Sequence, residues 1–246
     1  APTPPPPPPT TPPTTPPPPP PTTPPPAPPA NTAPAAWAGK DWEVLPGVGS
    51  NVALTFDGGA SNSAVGTILQ TLRDYGVPAT FFVTGQFARN YPDDVRAMAN
   101  AGHPVGNHSD THPYFSTSTN VVIRQELSAA ERSISALTGT TTVPLFRFPY
   151  GDRTNLDIQV VNGEGYVPFR WTVDSLGWKG LEGGSRTAQV TCDRVLNTAT
   201  AGQIVLLHVG AHPQDGSTLD ADALPCIIEG LQAKGYGFIT LRDAMR

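Results

Sequence analysis

Between residues 52 and 241 the chain alternates short apolar runs with stretches whose apolar residues recur every three or four positions. Runs begin at Val52, Ala79, Pro104, Leu145, Pro168, Ile204 and Gly237, about seven in all. After the first come Ala64, Val65, Ile68, Leu69 and Leu72 at helical spacing; after the third come Ile123, Leu127, Ala130, Ile134 and Leu137. Continuous apolar runs suit strands buried on both faces, and strand-helix alternation implies an α/β fold with a parallel sheet. One run after another stops on a polar residue: Asp57, His108, Arg147 with Tyr150, Asp174 and His208. An open sheet gathers only the residues near its switch point, whereas a barrel gathers every strand end around one mouth. The expected fold is therefore a distorted (β/α) barrel of seven or eight parallel strands with outer helices.

Residues 1–36 cannot join that core, being almost entirely Pro, Thr and Ala. Such a segment forms a semi-rigid polyproline-type spacer at ~3.1 Å per residue, roughly 100 Å at most. A disordered tail is expected there, or, since such spacers resemble those joining modules in secreted polysaccharide-degrading enzymes, a link to a carbohydrate-binding module, with residues 37–246 as the folded domain. Residues 37–46 read as a lead-in that packs an aromatic or two onto that domain. A net charge of −5 with no run of Lys and Arg makes nucleic acid an unsuitable partner. No apolar stretch approaches the ~20 residues of a membrane span. Cys192 and Cys226 are the only cysteines. Both fall on expected helices flanking one strand, and a disulfide between them would suit a secreted protein. Nothing signals oligomerisation, so a monomer is expected.

His108 and His112 are four residues apart, a spacing that puts two imidazoles on one face of a helical turn, where they can share a cation. They stand among five motifs in fixed order: TFDGG at 55–59, NHSDTH at 107–112, RFPYG at 147–151, WTVDSLGW at 171–178 and LLH at 206–208. This series resembles the polysaccharide deacetylases, carbohydrate esterase family four, over residues 52–241. The resemblance implies a metal-dependent hydrolase that removes acetyl groups from sugars. It implies a divalent ion on His108 and His112, zinc before cobalt, nickel or manganese. Asp57 would be the general base, anchored by Arg147, and the Tyr150 backbone N–H an oxyanion donor. His208 would be the general acid, with Trp178 and Leu206 walling the acetyl-methyl pocket. His103 and His212 match no motif and read as structural or surface groups.

Two positions depart from the family pattern. Gly58 stands where a second aspartate usually completes the metal site. Either the ion keeps more water there, or Asp57 itself coordinates it in a two-His, one-carboxylate set. On that pattern, restoring Asp at 58 should tighten metal binding. Gly177 replaces the aspartate that usually precedes the tryptophan and tunes the catalytic histidine, so Asp174 is the expected substitute for orienting His208. Asp110 could contribute only from a loop turned inward. The leading expectation is a secreted N-deacetylase acting on an N-acetylglucosamine polymer, chitin-like or peptidoglycan. O-deacetylation of acetylated xylan is the alternative chemistry, and a non-catalytic carbohydrate-binding module is the alternative class.

Overall fold

A computed structural model describes residues 32–246. The expected spacer lies almost wholly outside them. Ala33, ahead of the expected boundary at 36/37, is already buried, and its N–H donates to the Asn162 carbonyl at 2.9 Å.

Among the described residues the sheet has eight strands, all paired in parallel: β1 (Asn51–Gly58), β2 (Thr80–Val83), β3 (Val105–Asn107), β4 (Leu145–Phe146), β5 (Val167–Pro168), β6 (Val173–Asp174), β7 (Ile204–His208) and β8 (Gly237–Phe238). Their order is β5-β4-β3-β2-β1-β7-β6, with β8 beside the start of β1. Helices α1 (Val65–Tyr75), α2 (Gly85–Asn90), α3 (Pro92–Asn100), α4 (Asn120–Thr138), α5 (Asn155–Gly163), α6 (Ala188–Asn197), α7 (Leu219–Ala233) and α8 (Leu241–Ala244) complete the α/β alternation. The architecture is the expected distorted barrel, curled but not closed by a ladder between β5 and β6. The run read as one strand at 168–173 is two short ones, β5 and β6. Between them Phe169 leaves the ladder to bridge Trp42, while Val44 bridges Gln203 next to β7. The lead-in thus fills the gap, with Trp37 and Leu45 buried against Phe169, Ile204 and Leu241.

Alternation along β1 sorts its side chains into two layers. Val52, Leu54 and Phe56 enter the large core beneath the helices, together with Ile68, Leu72, Phe81, Val205 and Ile227. Ala53 joins the interior layer, and Thr55 donates from β1 to the Val205 carbonyl at 2.6 Å. The helices stop where local chemistry dictates. Thr119 accepts from the Val122 N–H to start α4, and Gly139, at φ 69°, ends it in a left-handed cap. A reciprocal capping box between Thr154 and Asp157 opens α5. Helices α2 and α8 escaped the sequence reading because each is too short to show a periodic face.

Cys192 on α6 and Cys226 on α7 form the expected disulfide, with Cα atoms 6.0 Å apart and a sequence separation of 34. Loop-closure entropy for that separation is worth about 3–4 kcal/mol. Reduction is therefore expected to lower the thermal midpoint by several degrees; an unchanged midpoint under reductant would show that α6 and α7 are held by packing alone.

Candidate active site

The C-terminal ends of β1, β3, β4, β6 and β7 open onto one cavity of about 960 Å³. Asp57, His108, His112, Tyr150, Asp174, Trp178, Leu206 and His208 all line it. Arg147 stands directly behind, completely buried and packed over the Phe82 ring at 4.5 Å. Its guanidinium donates to the Phe169 carbonyl at 2.9 Å, the Arg170 carbonyl at 2.9 Å and Asp57 Oδ1 at 2.7 Å. Burial would raise the Asp57 pKa, but Arg147, His108 and His208 together hold it below the usual carboxylate value. Arg147 thus fixes one oxygen of Asp57 and leaves Oδ2 facing His108, 3.5 Å from Nε2.

His108 Nδ1 donates to the Arg147 carbonyl at 2.9 Å, which fixes the tautomer and turns the Nε2 lone pair toward the cavity. The two Nε2 atoms of His108 and His112 face each other at 3.2 Å. Burial lowers both pKa values, and that of His112 falls to about 4 through burial and the neighbouring His108. Two neutral imidazoles at this separation suit a cation: metal–nitrogen bonds of 2.0–2.1 Å at the tetrahedral angle put ligand atoms ~3.3 Å apart. Among the described residues no three His, Cys, Asp or Glu side chains close around one point. An ion held by the pair would take its remaining ligands from solvent or from Asp57, whose Oδ2 lies 3.5 Å from His108 Nε2.

The histidine pair does not ride on a helical turn. Residues 108–112 form a loop in which Ser109 (φ 66°) and His112 (φ 64°) take left-handed conformations. Neighbours hold this strained backbone in place. Ser109 Oγ accepts from the His112 N–H, Asn107 Oδ1 accepts from the Ser109 N–H, and Glu126 on α4 accepts from the N–H groups of Asp110 and Thr111. Asp110 turns away and pairs with Arg89 at 2.7 and 3.0 Å, so it is no ligand. Sequence reasoning passed over Glu126 because it lies on the polar face of α4.

His208 ends β7, and its carboxylate partner is Asp220 on the first turn of α7. Asp220 Oδ2 accepts from the His208 N–H at 2.8 Å and lies 3.3 Å from Nδ1. The expectation that Asp174 orients His208 is thereby corrected. Asp174 spends its oxygens on the Leu176 N–H and on Trp178 Nε1, at 2.9 and 3.1 Å, because Leu176 turns left-handed (φ 60°) and brings both donors back over the strand end. Burial opposes protonation of His208, but the Asp220 bond and the charges of Asp220, Asp57 and Asp174 raise its pKa.

Tyr150 (φ 59°) stacks its exposed ring on Tyr114 at 4.3 Å and meets His112 edge-on at 4.4 Å. Trp178 is also largely exposed, on the side of His208, with ring centroids 6.3 Å apart. Both aromatics are rim residues and not core. Leu206 is buried in the cavity wall. His103 packs against Phe81, whereas His212 lines the rim and pairs with Asp215 at 3.2 Å.

Gly58 follows Asp57 on β1 and faces the opposite way. A Cβ there would lie 3.1 Å from Val209 Cγ2, 3.2 Å from Val83 Cγ1 and 3.4 Å from Phe87 Cε2. An aspartate at 58 on this backbone points into the apolar layer and not at the histidines. Gly58→Asp is therefore expected to destabilise the fold by at least about 2 kcal/mol, the cost of burying an unpaired carboxylate. Metal affinity should not improve. Thermal denaturation and calorimetric metal titration check both; tighter binding with stability retained would contradict the outward direction.

The polysaccharide deacetylase sequence profile matches residues 46–169. A chitooligosaccharide deacetylase of Azorhizobium caulinodans is 30% identical over 195 residues, covering 76% of this chain and 90% of that protein. The crystal structure of the Bc1960 peptidoglycan N-acetylglucosamine deacetylase, in complex with an N-oxidanyl-benzamide, superposes with a TM-score of 0.75 at 30% identity, over 82% of this chain and 91% of that one. A CE4 family pseudoenzyme from Bacillus anthracis superposes with a TM-score of 0.72 at 27% identity, over 80% of this chain and 66% of that one. A mutant of it has restored enzymatic activity. The chain belongs to the polysaccharide deacetylase family, the carbohydrate esterases of family four, and its enzyme class is carbohydrate deacetylase.

Proposed function

We propose that this chain is a metal-dependent N-deacetylase of N-acetylglucosamine polymers, chitin-like or peptidoglycan, acting outside the cell or at the wall. The observation that carries the reading is the convergence on one cavity of Asp57, backed by the buried Arg147, of His108 with His112, and of His208, backed by the buried Asp220. The relatives that act on chitooligosaccharide and on peptidoglycan N-acetylglucosamine support the substrate class.

His108 and His112 would hold a divalent ion, zinc by preference for this donor set, with Asp57 within reach. When bound, that ion supplies Lewis acidity to the acetyl carbonyl and acidifies water. Asp57, kept ionised and pinned by Arg147, has Oδ2 free to take the proton of the attacking water. The Tyr150 N–H is the proposed donor to the developing oxyanion. His208 has Nδ1 directed to Asp220, which leaves Nε2 to protonate the departing sugar nitrogen as the C–N bond breaks. Acetate and a free amine are the products. Leu206 and Trp178 bound a space suited to the acetyl methyl, and the Tyr114–Tyr150 stack offers an apolar face to a pyranose ring on the opposite side.

A second reading, a family member without activity, is favoured by one observation: among the described residues no three His, Cys, Asp or Glu side chains gather to hold a metal. Acetate release from chitin oligomers, peptidoglycan and acetylxylan separates the possibilities. Release from the N-acetylated polymers alone is expected. Release from xylan alone would overturn the N-deacetylase reading, and silence on all three with metal supplied would favour the inactive one.

A further inference from the structure

Asp220 takes no part in any of the five motifs, yet it is nearly completely buried between the ends of β6 and β7. Its Oδ1 accepts from Ser175 Oγ at 2.5 Å, and Ser175 Oγ in turn accepts from the Gly177 N–H at 3.3 Å. Its Oδ2 accepts from the His208 N–H and faces Nδ1. One carboxylate therefore ties the main chain after β6 to both the main chain and the ring of His208. Its place on the first turn of α7 favours the charge, since backbone N–H groups point toward it there.

Residue 177 occupies the other side of the same space. A Cβ at Gly177 would lie 2.2 Å from Asp220 Oδ1, 2.6 Å from its Cγ and 3.0 Å from its backbone nitrogen. Gly177 takes no left-handed φ, so backbone conformation does not demand glycine there. What demands it is the Asp220 carboxylate. A side chain at 177 and the Asp220 carboxylate in its present place exclude each other.

We propose that Asp220 is the positioning residue for His208, and that Gly177 is the vacancy that admits it, so that residues 177 and 220 form an exchangeable pair delivering one carboxylate to one volume. Asp220 touches neither substrate nor the reacting atoms. It fixes which His208 nitrogen carries the proton and where the ring points. The assignment deepens the deacetylase reading and rests on it for the activity arm of the test only.

Three variants test it: Asp220→Ala, Gly177→Asp, and the double variant Gly177→Asp/Asp220→Ala. Losing an orienting partner of this kind costs about 10- to 100-fold. Asp220→Ala should therefore lower kcat by that factor with KM within about twofold. Gly177→Asp alone should lower both the thermal midpoint and kcat, because two carboxylates then compete for one space. The double variant should recover at least tenfold in kcat over Asp220→Ala, and should be more stable than Gly177→Asp. An independent arm needs no turnover. The ¹⁵N spectrum of neutral His208 should report the Nδ1–H tautomer in the parent protein, lose it in Asp220→Ala and regain it in the double variant. Parental kcat in Asp220→Ala, or a folded double variant no better than Asp220→Ala, would overturn the proposal. So would an unchanged tautomer across all four proteins. A parent protein that releases no acetate from any polymer contradicts the deacetylase reading instead, and the tautomer series then decides the role of Asp220 alone.

Discussion

His108→Ala is expected to abolish metal binding and acetate release together, with a drop in kcat of at least about a thousandfold. The size follows from what His108 does. It is one of two neutral imidazoles whose Nε2 atoms face each other at 3.2 Å, and His112 alone cannot hold an ion at useful affinity. Lewis-acid assistance is worth several kcal/mol of barrier, and each 1.36 kcal/mol is about tenfold in rate. His108 also meets the Arg147 carbonyl, so its loss frees an acceptor that water entering the cavity can satisfy. The fold should therefore survive. Metal analysis of the purified variant, read beside its circular dichroism, checks the claim. A folded variant with parental activity would remove the histidine pair from the mechanism.

Arg147→Met should do the opposite: it damages the fold first and the chemistry as a consequence. Among the described residues Arg147 is the largest completely buried side chain, and it donates to two carbonyls and to Asp57. Removing it strands the Asp57 carboxylate without its counter-charge beneath the cavity floor. Breaking a buried pair from one side costs about 3–5 kcal/mol. For a domain of this size that is a fall in the thermal midpoint on the order of 10 °C. The Asp57 pKa should also rise, because burial then acts with one fewer opposing cation. Activity lost to that protonation should partly return at higher pH, whereas activity lost to unfolding should not. Denaturation midpoints together with a pH profile of acetate release separate the two. An unchanged midpoint would mean that Arg147 is not the anchor its three hydrogen bonds imply.

The site was legible wherever an apolar run ended abruptly on a polar residue. Asp57, His108, Arg147 and His208 each stand within one residue of a strand's C-terminal end, and parallel strands deliver those ends to one mouth. Periodicity was sufficient for α1 and α4, whose buried faces recur over several turns. It failed where function depends on loop geometry. A spacing of four residues fits a helical turn, but it also fits the strained loop of 108–112, and only contacts with Asn107 and Glu126 decide between them. The sequence pointed to Asp174 as the partner of His208 and left Asp220 unremarked. Both are acidic residues near a strand end or helix start. The difference lies in the left-handed turn at Leu176, which draws Asp174 onto Trp178, and in the space that Gly177 leaves for Asp220. Gly58 shows the same limit from the other side. Its position beside Asp57 suggests a missing ligand, whereas strand alternation turns it toward Val83, Phe87 and Val209.

The proposed mechanism requires two histidines, with Asp57 in reach, to suffice for metal-dependent deacetylation in a site whose strand places glycine at 58. The most direct measurement is acetate release from an N-acetylglucosamine oligomer by protein stripped with a chelator and then titrated with zinc, with His108→Ala run in parallel. No release is expected from the stripped protein, saturable recovery as zinc is added, and none from the variant at any zinc concentration. Equal release with and without metal, or recovery in the variant matching the parent, would contradict the mechanism.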